Sequence, residues 1–165
     1  MKLSKTLILF LIVTIASSLM SCEEKEKERK VTEKEVPKAV LQVFKQTYPR
    51  ATVKEYAEEI EDGQKFYEIS FEFEGRRIDA IYKPDGKLNA IEEIIATEQL
   101  PDVIHQAISK EFPQFSIQLA EKIEKEGKIF FEVVVLNTEI NKSYEILLSD
   151  EGIVIEKEMK IKNKD

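Results

Sequence analysis

The chain of 165 residues has one cysteine, one histidine and no tryptophan. The lone thiol, Cys22, excludes an intramolecular disulfide, and a lone histidine without a second thiol leaves a zinc site short of ligands. The sequence has only five glycines, and it contains no G-x-S-x-G motif, no H-E-x-x-H motif and no glycine-rich phosphate-binding motif. We therefore expect no metal, no cofactor and no catalytic residue, and we interpret His105 as a residue on the surface of a helix.

Positive charge is also scarce. The chain has 25 basic and 32 acidic residues, and residues 1–21 contain two of the basic ones and none of the acidic ones. The remainder carries a net formal charge of −9 without a basic stripe, so the sequence predicts no binding to nucleic acid, which needs clustered Lys and Arg. Neighbouring acids such as Glu58-Glu59 and Glu92-Glu93 are interpreted as chance pairs on an acidic surface.

Residues 1–21 have the pattern of a cleaved export signal. Lys2 and Lys5 precede an apolar run that is short for a membrane span of about 20 residues. Leu19-Met20-Ser21-Cys22 resembles the lipobox of bacterial lipoproteins, and the resemblance implies that Cys22 is acylated and becomes the mature N-terminus. Cleavage nearby that leaves a free thiol, or an uncleaved anchor, is the alternative.

The segment after the cysteine is almost entirely charged. In residues 23–35 only Val31 and Thr32 are uncharged, so we predict a solvated tether over residues 22–35. Glu23-Glu24-Lys25-Glu26 is similar to the surface-export signal of some Bacteroidetes-type lipoproteins, and a plain charged spacer is the alternative. The predicted location is the cell envelope, with a lipid anchor in the outer membrane facing the periplasm or the cell surface.

The rest of the chain contains one pattern twice. VPKAVLQVFKQTYP at residues 36–49 matches LPDVIHQAISKEFP at 100–113 in its prolines and in most of its apolar positions. The offset of 64 residues becomes 66 farther on, so a two-residue insertion lies in a hairpin tip of the second copy. We predict two repeats, 36–97 and 98–162, that form one compact unit.

Each repeat is predicted to be one helix followed by four antiparallel strands. Apolar residues recur at helical spacing in the two matched segments, with a proline near the first turn and another after the last. Alternating segments follow, separated by turns such as PDG and DEG. The predicted strands are 53–60, 65–73, 77–83 and 87–95, then 115–123, 128–137, 142–149 and 152–161.

The fold class predicted is α+β, with two tandem α-β4 repeats that form one antiparallel sheet and place two helices on one of its faces. One repeat of about 62 residues buries little apolar surface by itself. We therefore expect the two repeats to share a hydrophobic core.

These residues resemble a known family. A glycine turn before the segments FYEI (66–69) and FFEV (130–133), after a helix ended by proline, is similar to the PepSY-like domain in tandem, also described as a fold like that of beta-lactamase-inhibitor protein. The resemblance implies an exported binding module that restrains proteases or other exported enzymes, and it carries no catalytic residues over.

The second repeat departs from a clean alternation of apolar and polar residues. Its strands place Phe130, Val134, Leu136 and Leu147 on the face away from the helices, beside Glu132 and Glu145. An apolar patch on an open sheet face indicates a protein-binding surface. The alternatives are coverage by neighbouring strands, a dimer of the chain, or scattered exposed aliphatics. The first repeat, by contrast, is expected to have a polar outer face.

The sequence thus predicts a non-catalytic envelope lipoprotein that binds an exported protein, with inhibition as one form of that role. The alternative is a structural or envelope-assembly lipoprotein without a specific inhibitory target.

Overall fold

The computed structural model describes residues 27–61 and 63–160 and contains one antiparallel sheet of nine strands. The spatial order of the strands is their order in the chain, so each strand pairs with its neighbours in sequence. The strands are β1 Lys27–Lys30, β2 Thr52–Glu61, β3 Gln64–Phe73, β4 Arg76–Tyr82, β5 Leu88–Ile95, β6 Ser116–Lys125, β7 Lys128–Asn137, β8 Lys142–Ser149 and β9 Val154–Lys160.

Two helices of ten residues each, α1 Lys38–Thr47 and α2 Asp102–Glu111, cover one face of this sheet. Each helix begins directly after a proline, where the missing N–H costs no helical hydrogen bond. The short 3₁₀ turns Glu33–Glu35 and Thr97–Gln99 lead into the helices. The predicted α+β class and the two α-β4 repeats are confirmed.

The core is divided where the sequence predicted a shared one. Under α1, Val40 and Phe44 pack on β3 and β4, and under α2, Ile104 and Ile108 pack on β7 and β8. The two buried clusters are separate because each helix is short and lies over its own strands. The repeats are instead joined by the sheet itself, through the pairing of β5 with β6 from Ala90 opposite Lys125 to Ile95 opposite Ala120.

Strand β1 corrects the prediction of a tether over 22–35. Residues 27–30 pair with β2, and the N–H of Val31 donates to the carbonyl of Tyr56 at 2.9 Å. Lys30 forms an ion pair with Glu55, and Val31 packs against the buried cluster under α1. A strand at the edge of a sheet can consist of charged residues, because its hydrogen bonds to the next strand are formed by backbone groups. Charged side chains on an edge strand also discourage pairing with other chains.

The two-residue insertion lies where the sequence comparison placed it. Strands β3 and β4 are joined by the two-residue turn Glu74-Gly75, in which both residues have positive φ, whereas β7 and β8 are joined by residues 138–141. The buried side chain of Asn137 shapes this longer loop, since its Oδ1 accepts hydrogen bonds from the N–H groups of Glu139 at 3.0 Å and Ile140 at 3.2 Å.

The predicted leader and Cys22 lie outside the described residues. Among residues 27–61 and 63–160, neither helix is long and apolar enough to cross a membrane.

Candidate functional site

The face of the sheet opposite the helices, called the open face below, contains the residues predicted as a binding surface. Side chains alternate along β7, so Phe131, Val133 and Val135 are buried in the second cluster while Phe130 and Val134 lie on the open face. The predicted surface residues on this face are all partly buried: Phe130, Glu132, Val134, Leu136, Glu145 and Leu147.

Most of these predicted residues border two adjoining hollows. One hollow, of about 460 Å³, is lined by Phe130, Glu132, Glu145 and Leu147, among others. The second, of about 280 Å³, lies toward the first repeat and shares Glu132 with it. Val134 and Leu136 line neither of these two hollows, since they lie farther along β7. The structure thus brings four of the six residues together and leaves two apart.

The first repeat also has apolar side chains on the open face, which corrects the expectation of a polar one. Phe66, Ile81 and Ala90 form a small buried cluster there, at 5%, 9% and 3% exposure. Glu59 and Glu68 lie directly opposite Phe66 and Ile81 in the neighbouring strands. The aliphatic stems of such long charged side chains cover apolar surface while their heads reach solvent, so the cluster is hidden without a helix above it.

Carboxylates extend across the open face. Every strand from β2 to β9 contributes at least one, and the register places the following residues there: Glu59, Glu68, Asp79, Glu92, Glu121, Glu132, Glu145 and Glu158. Sequence neighbours such as Glu58 and Glu59 point to opposite faces, so the clustering arises across strands, and no sequential motif announces it.

Burial and mutual repulsion change the acidity of these groups. Burial, and then the charges of Glu121, Glu68 and other carboxylates, raises the pKa of Glu92 to about 7. Burial and a hydrogen bond with Glu68 raise the pKa of Glu59, and burial followed by the charge of Asp79 raises that of Glu121. The open face therefore holds protons that exposed glutamates release near pH 4.3.

The free energy of unfolding is expected to fall as the pH rises from 5 to 8. A carboxyl group whose pKa is raised by folding contributes full stability below its ordinary pKa of about 4.3 and loses it as the pH rises through the folded value. For Glu92 that value is about 7. We expect a loss of about 2 kcal/mol across this range once solvent screening is allowed for, measured by urea denaturation.

Glu92→Gln should make this pH profile shallower without abolishing it, since Glu59 and Glu121 also have raised pKa values. Glu124→Gln, which changes an exposed residue on the other face of β6, should leave the profile in place. Glu58 does not contribute to the pH dependence between pH 5 and 8. A hydrogen bond with Lys65 lowers its pKa, so its stabilising contribution is lost only as the pH falls below about 4.5. A stability that rises between pH 5 and 8 would contradict the account.

Within the described part of the chain, no group of His, Cys, Asp or Glu side chains is arranged to hold a metal ion. His105 is partly buried on α2, on the face of the sheet remote from the carboxylates.

Sequence comparison identifies the repeats. The family model of PepSY-like, candidate beta-lactamase-inhibitor-like proteins matches residues 22–90 and 82–160. This chain belongs to the PepSY-like family. The two matches overlap at residues 82–90, and each contains one helix. The first extends over β1, the edge strand that the sequence pattern assigned to a tether, and the second takes in β5, the strand before α2. No curated protein matches the chain significantly.

Solved structures share the PepSY-like fold of this chain. A candidate periplasmic protein from Bacteroides eggerthii superposes with a TM-score of 0.65 at 19% identity, over 75% of this chain and 88% of its own. A DUF2874 family protein from Bacteroides uniformis gives 0.63 at 17%, over 74% and 88%. A BLIP-like protein from Bacteroides fragilis gives 0.57 at 19%, over 77% and 87%. At these identities the likeness concerns the fold.

Proposed function

We propose that this PepSY-like protein is a non-catalytic module of the cell envelope that binds another exported protein through the open face of its sheet. The observation that carries the proposal is the hollow between Phe130, Leu147 and the surrounding carboxylates, which joins apolar anchors to a polar rim. A few side chains in desolvated pockets, surrounded by a polar rim, carry most of the binding energy of protein interfaces. The beta-lactamase-inhibitor-like family match and the fold shared with a BLIP-like protein support the proposal.

The test pairs a thermal melt with capture of partners from cells that express the chain. Phe130→Ser and Leu147→Ser should lower the yield of one defined exported protein at least tenfold, since each removes an anchor worth about 1–2 kcal/mol or more. Both variants should remain folded and melt only about 2–8 °C lower than the unchanged chain, because their side chains lie outside the two helix-side clusters. Capture that survives both changes would exclude the open face as the binding surface.

We further propose that Cys22 carries the lipid anchor and that the chain is exported. The short charged segment before β1 supports this arrangement, since it places the folded part close to a membrane without inserting into it. The candidate periplasmic protein of the same fold also favours export.

Cys22→Ser should release the protein from membranes, because a charged segment supplies no apolar anchoring of its own. The measurement is the fraction of the chain that sediments with the envelope, in cells where cleavage of the leader has been checked by mass. A cleaved Ser variant that still sediments would count against the anchor.

A further inference from the structure

The sheet places like charges directly opposite each other on the open face. Asp79 lies opposite Glu92 between β4 and β5. Glu28 and Glu59 repeat the arrangement between β1 and β2. Directly opposed like charges destabilise a sheet. The isolated protein therefore bears a cost at these two ladders of the open face.

On the helix side of the sheet, a carboxylate lies beside positively charged side chains. Glu58, next to Glu59 in β2, lies 3.0 Å from Lys65 Nζ and 3.5 Å from Arg29 Nη2. Its pKa is lowered by these cations, whereas that of Glu59 is raised. Cations are thus built in beside a carboxylate on one side of the strand, and further carboxylates surround its neighbour on the other.

Two lysines of the open face form ion pairs with carboxylates other than Asp79, Glu92 and Glu121. Lys125 pairs with Glu61 at 3.2 Å, at the end of β2 and β6, and Lys30 pairs with Glu55 near the edge strand. The charge of Arg77 lowers the pKa of Glu121, but burial and neighbouring carboxylates outweigh this effect. The charged groups that change the pKa of Glu92 are all carboxylates.

Apolar side chains lie among these carboxylates. Glu92 and Glu132 line the same hollow as Ile123, Phe130 and Leu147. A segment that fits this surface has to present positive charge and apolar groups in alternation, since each kind of side chain has a counterpart on the sheet.

We propose that the partner of the open face is a positively charged protein segment, whose lysine or arginine side chains insert between the opposed carboxylates while its apolar residues contact Phe130 and Leu147. The inference rests on the proposed function and names the chemistry of its partner. A cation between Asp79 and Glu92 turns a repulsive pair into two attractive contacts, so the cost borne by the free protein is relieved in the complex.

Proton release should accompany binding. Glu92 is faced by Asp79 from β4, Glu121 from β6, Glu68 from β3 and Glu132 from β7, and the protons held in this network compete with an incoming cation. Affinity for a cationic segment should therefore rise as the pH increases from 6 to 8 and fall as salt is added.

The experiment titrates the full-length chain, in nonionic detergent, with three labelled synthetic peptides of equal length. One alternates lysine and leucine, one serine and leucine, and one glutamate and leucine. We expect binding of the lysine peptide alone. The double variant Glu92→Gln with Glu121→Gln should weaken it about tenfold, and Phe130→Ser should weaken it to a similar degree. Glu124→Gln, on the helix side of β6, is the matched control and should change nothing.

The outcomes separate the two proposals. Equal binding of the serine peptide, or a lysine peptide insensitive to the double variant, would overturn the cationic partner while sensitivity to Phe130→Ser would retain the docking face. If Phe130→Ser leaves every peptide complex unchanged, the docking face itself is wrong. A melt of the double variant guards against unfolding, and removal of like charges should leave its stability equal or higher.

Discussion

Phe131→Ala is expected to lower the free energy of unfolding by about 3–5 kcal/mol, the cost of removing a large aromatic side chain from a packed core. Phe131 is 5% exposed and lies in the cluster under α2. Its neighbour Phe130 points to the open face and is only partly buried, so Phe130→Ala should cost about 1 kcal/mol. Urea denaturation of both variants measures the difference.

Equal losses for the two variants would show that the alternation along β7 does not separate a core from an open surface. Ile129 provides a further control on the same strand. It is 37% exposed at the start of β7, and Ile129→Ala should change the stability by less than about 1 kcal/mol.

Gly86→Ala is expected to destabilise the protein by about 2–4 kcal/mol through two additive causes. Gly86 has a φ of +88°, which an L side chain adopts at a cost, and an added Cβ would lie 2.9 Å from the carbonyl oxygen of Ala39 in α1. The turn that contains Gly86 rests on the first turn of α1, and backbone atoms cannot move aside cheaply. The change should loosen the contact between helix and sheet.

Gly75→Ala separates the two causes. Gly75 has a φ of +79°, but an added Cβ would meet no atom within 4 Å. It should therefore show the backbone strain alone, about 1–2 kcal/mol. Denaturation midpoints of the two variants that coincide would mean that the contact with Ala39 carries no energy.

The second repeat also has a glycine with positive φ in close contact with its helix. Gly152, at a φ of +78°, would place a Cβ 2.9 Å from a methyl group of Val103 and 3.0 Å from its carbonyl oxygen. In both repeats the glycine N–H closes the turn on a residue three positions earlier, Lys83 or Ser149, at 2.9 Å. In each repeat the glycine thus lets the turn approach the helix more closely than a residue with a Cβ could.

The periodicity of apolar residues was sufficient to predict both helices and the strands from β2 to β9. Apolar residues recur at regular spacing along each of these elements, and turn residues separate one element from the next. Period also assigned Phe130 and Phe131 to opposite faces of β7. These features depend on local sequence alone.

Features that depend on pairing across strands were missed. Strand β1 has the composition of a solvated segment, and only its pairing with β2 gives it structure. The carboxylate cluster was interpreted as an acidic surface, since Glu92 and Glu121 are far apart in sequence and come together through the ladder of β5 and β6. The burial of Phe66 on the open face arises in the same way, from residues opposite it in other strands.

The division of the core has a simple physical origin. The sequence argument assumed that one repeat buries too little surface to stand alone and so must share a core. The structure meets the same requirement with a continuous sheet, in which the edge of β5 is covered by β6 and the edge of β2 by β1. The single antiparallel sheet that the sequence predicted thus joins the repeats, while the core that it predicted to be shared is divided.

The most direct test of the open face as a binding surface is a photo-crosslink in intact cells. A photoreactive phenylalanine analogue is placed at Phe130, on the open face, or at Ile129, the adjacent exposed residue on the helix side of the same strand. The account predicts that the analogue at position 130 forms a discrete crosslinked product with another protein and that the analogue at position 129 does not. Equal products from both positions, or a product from position 129 alone, would contradict it.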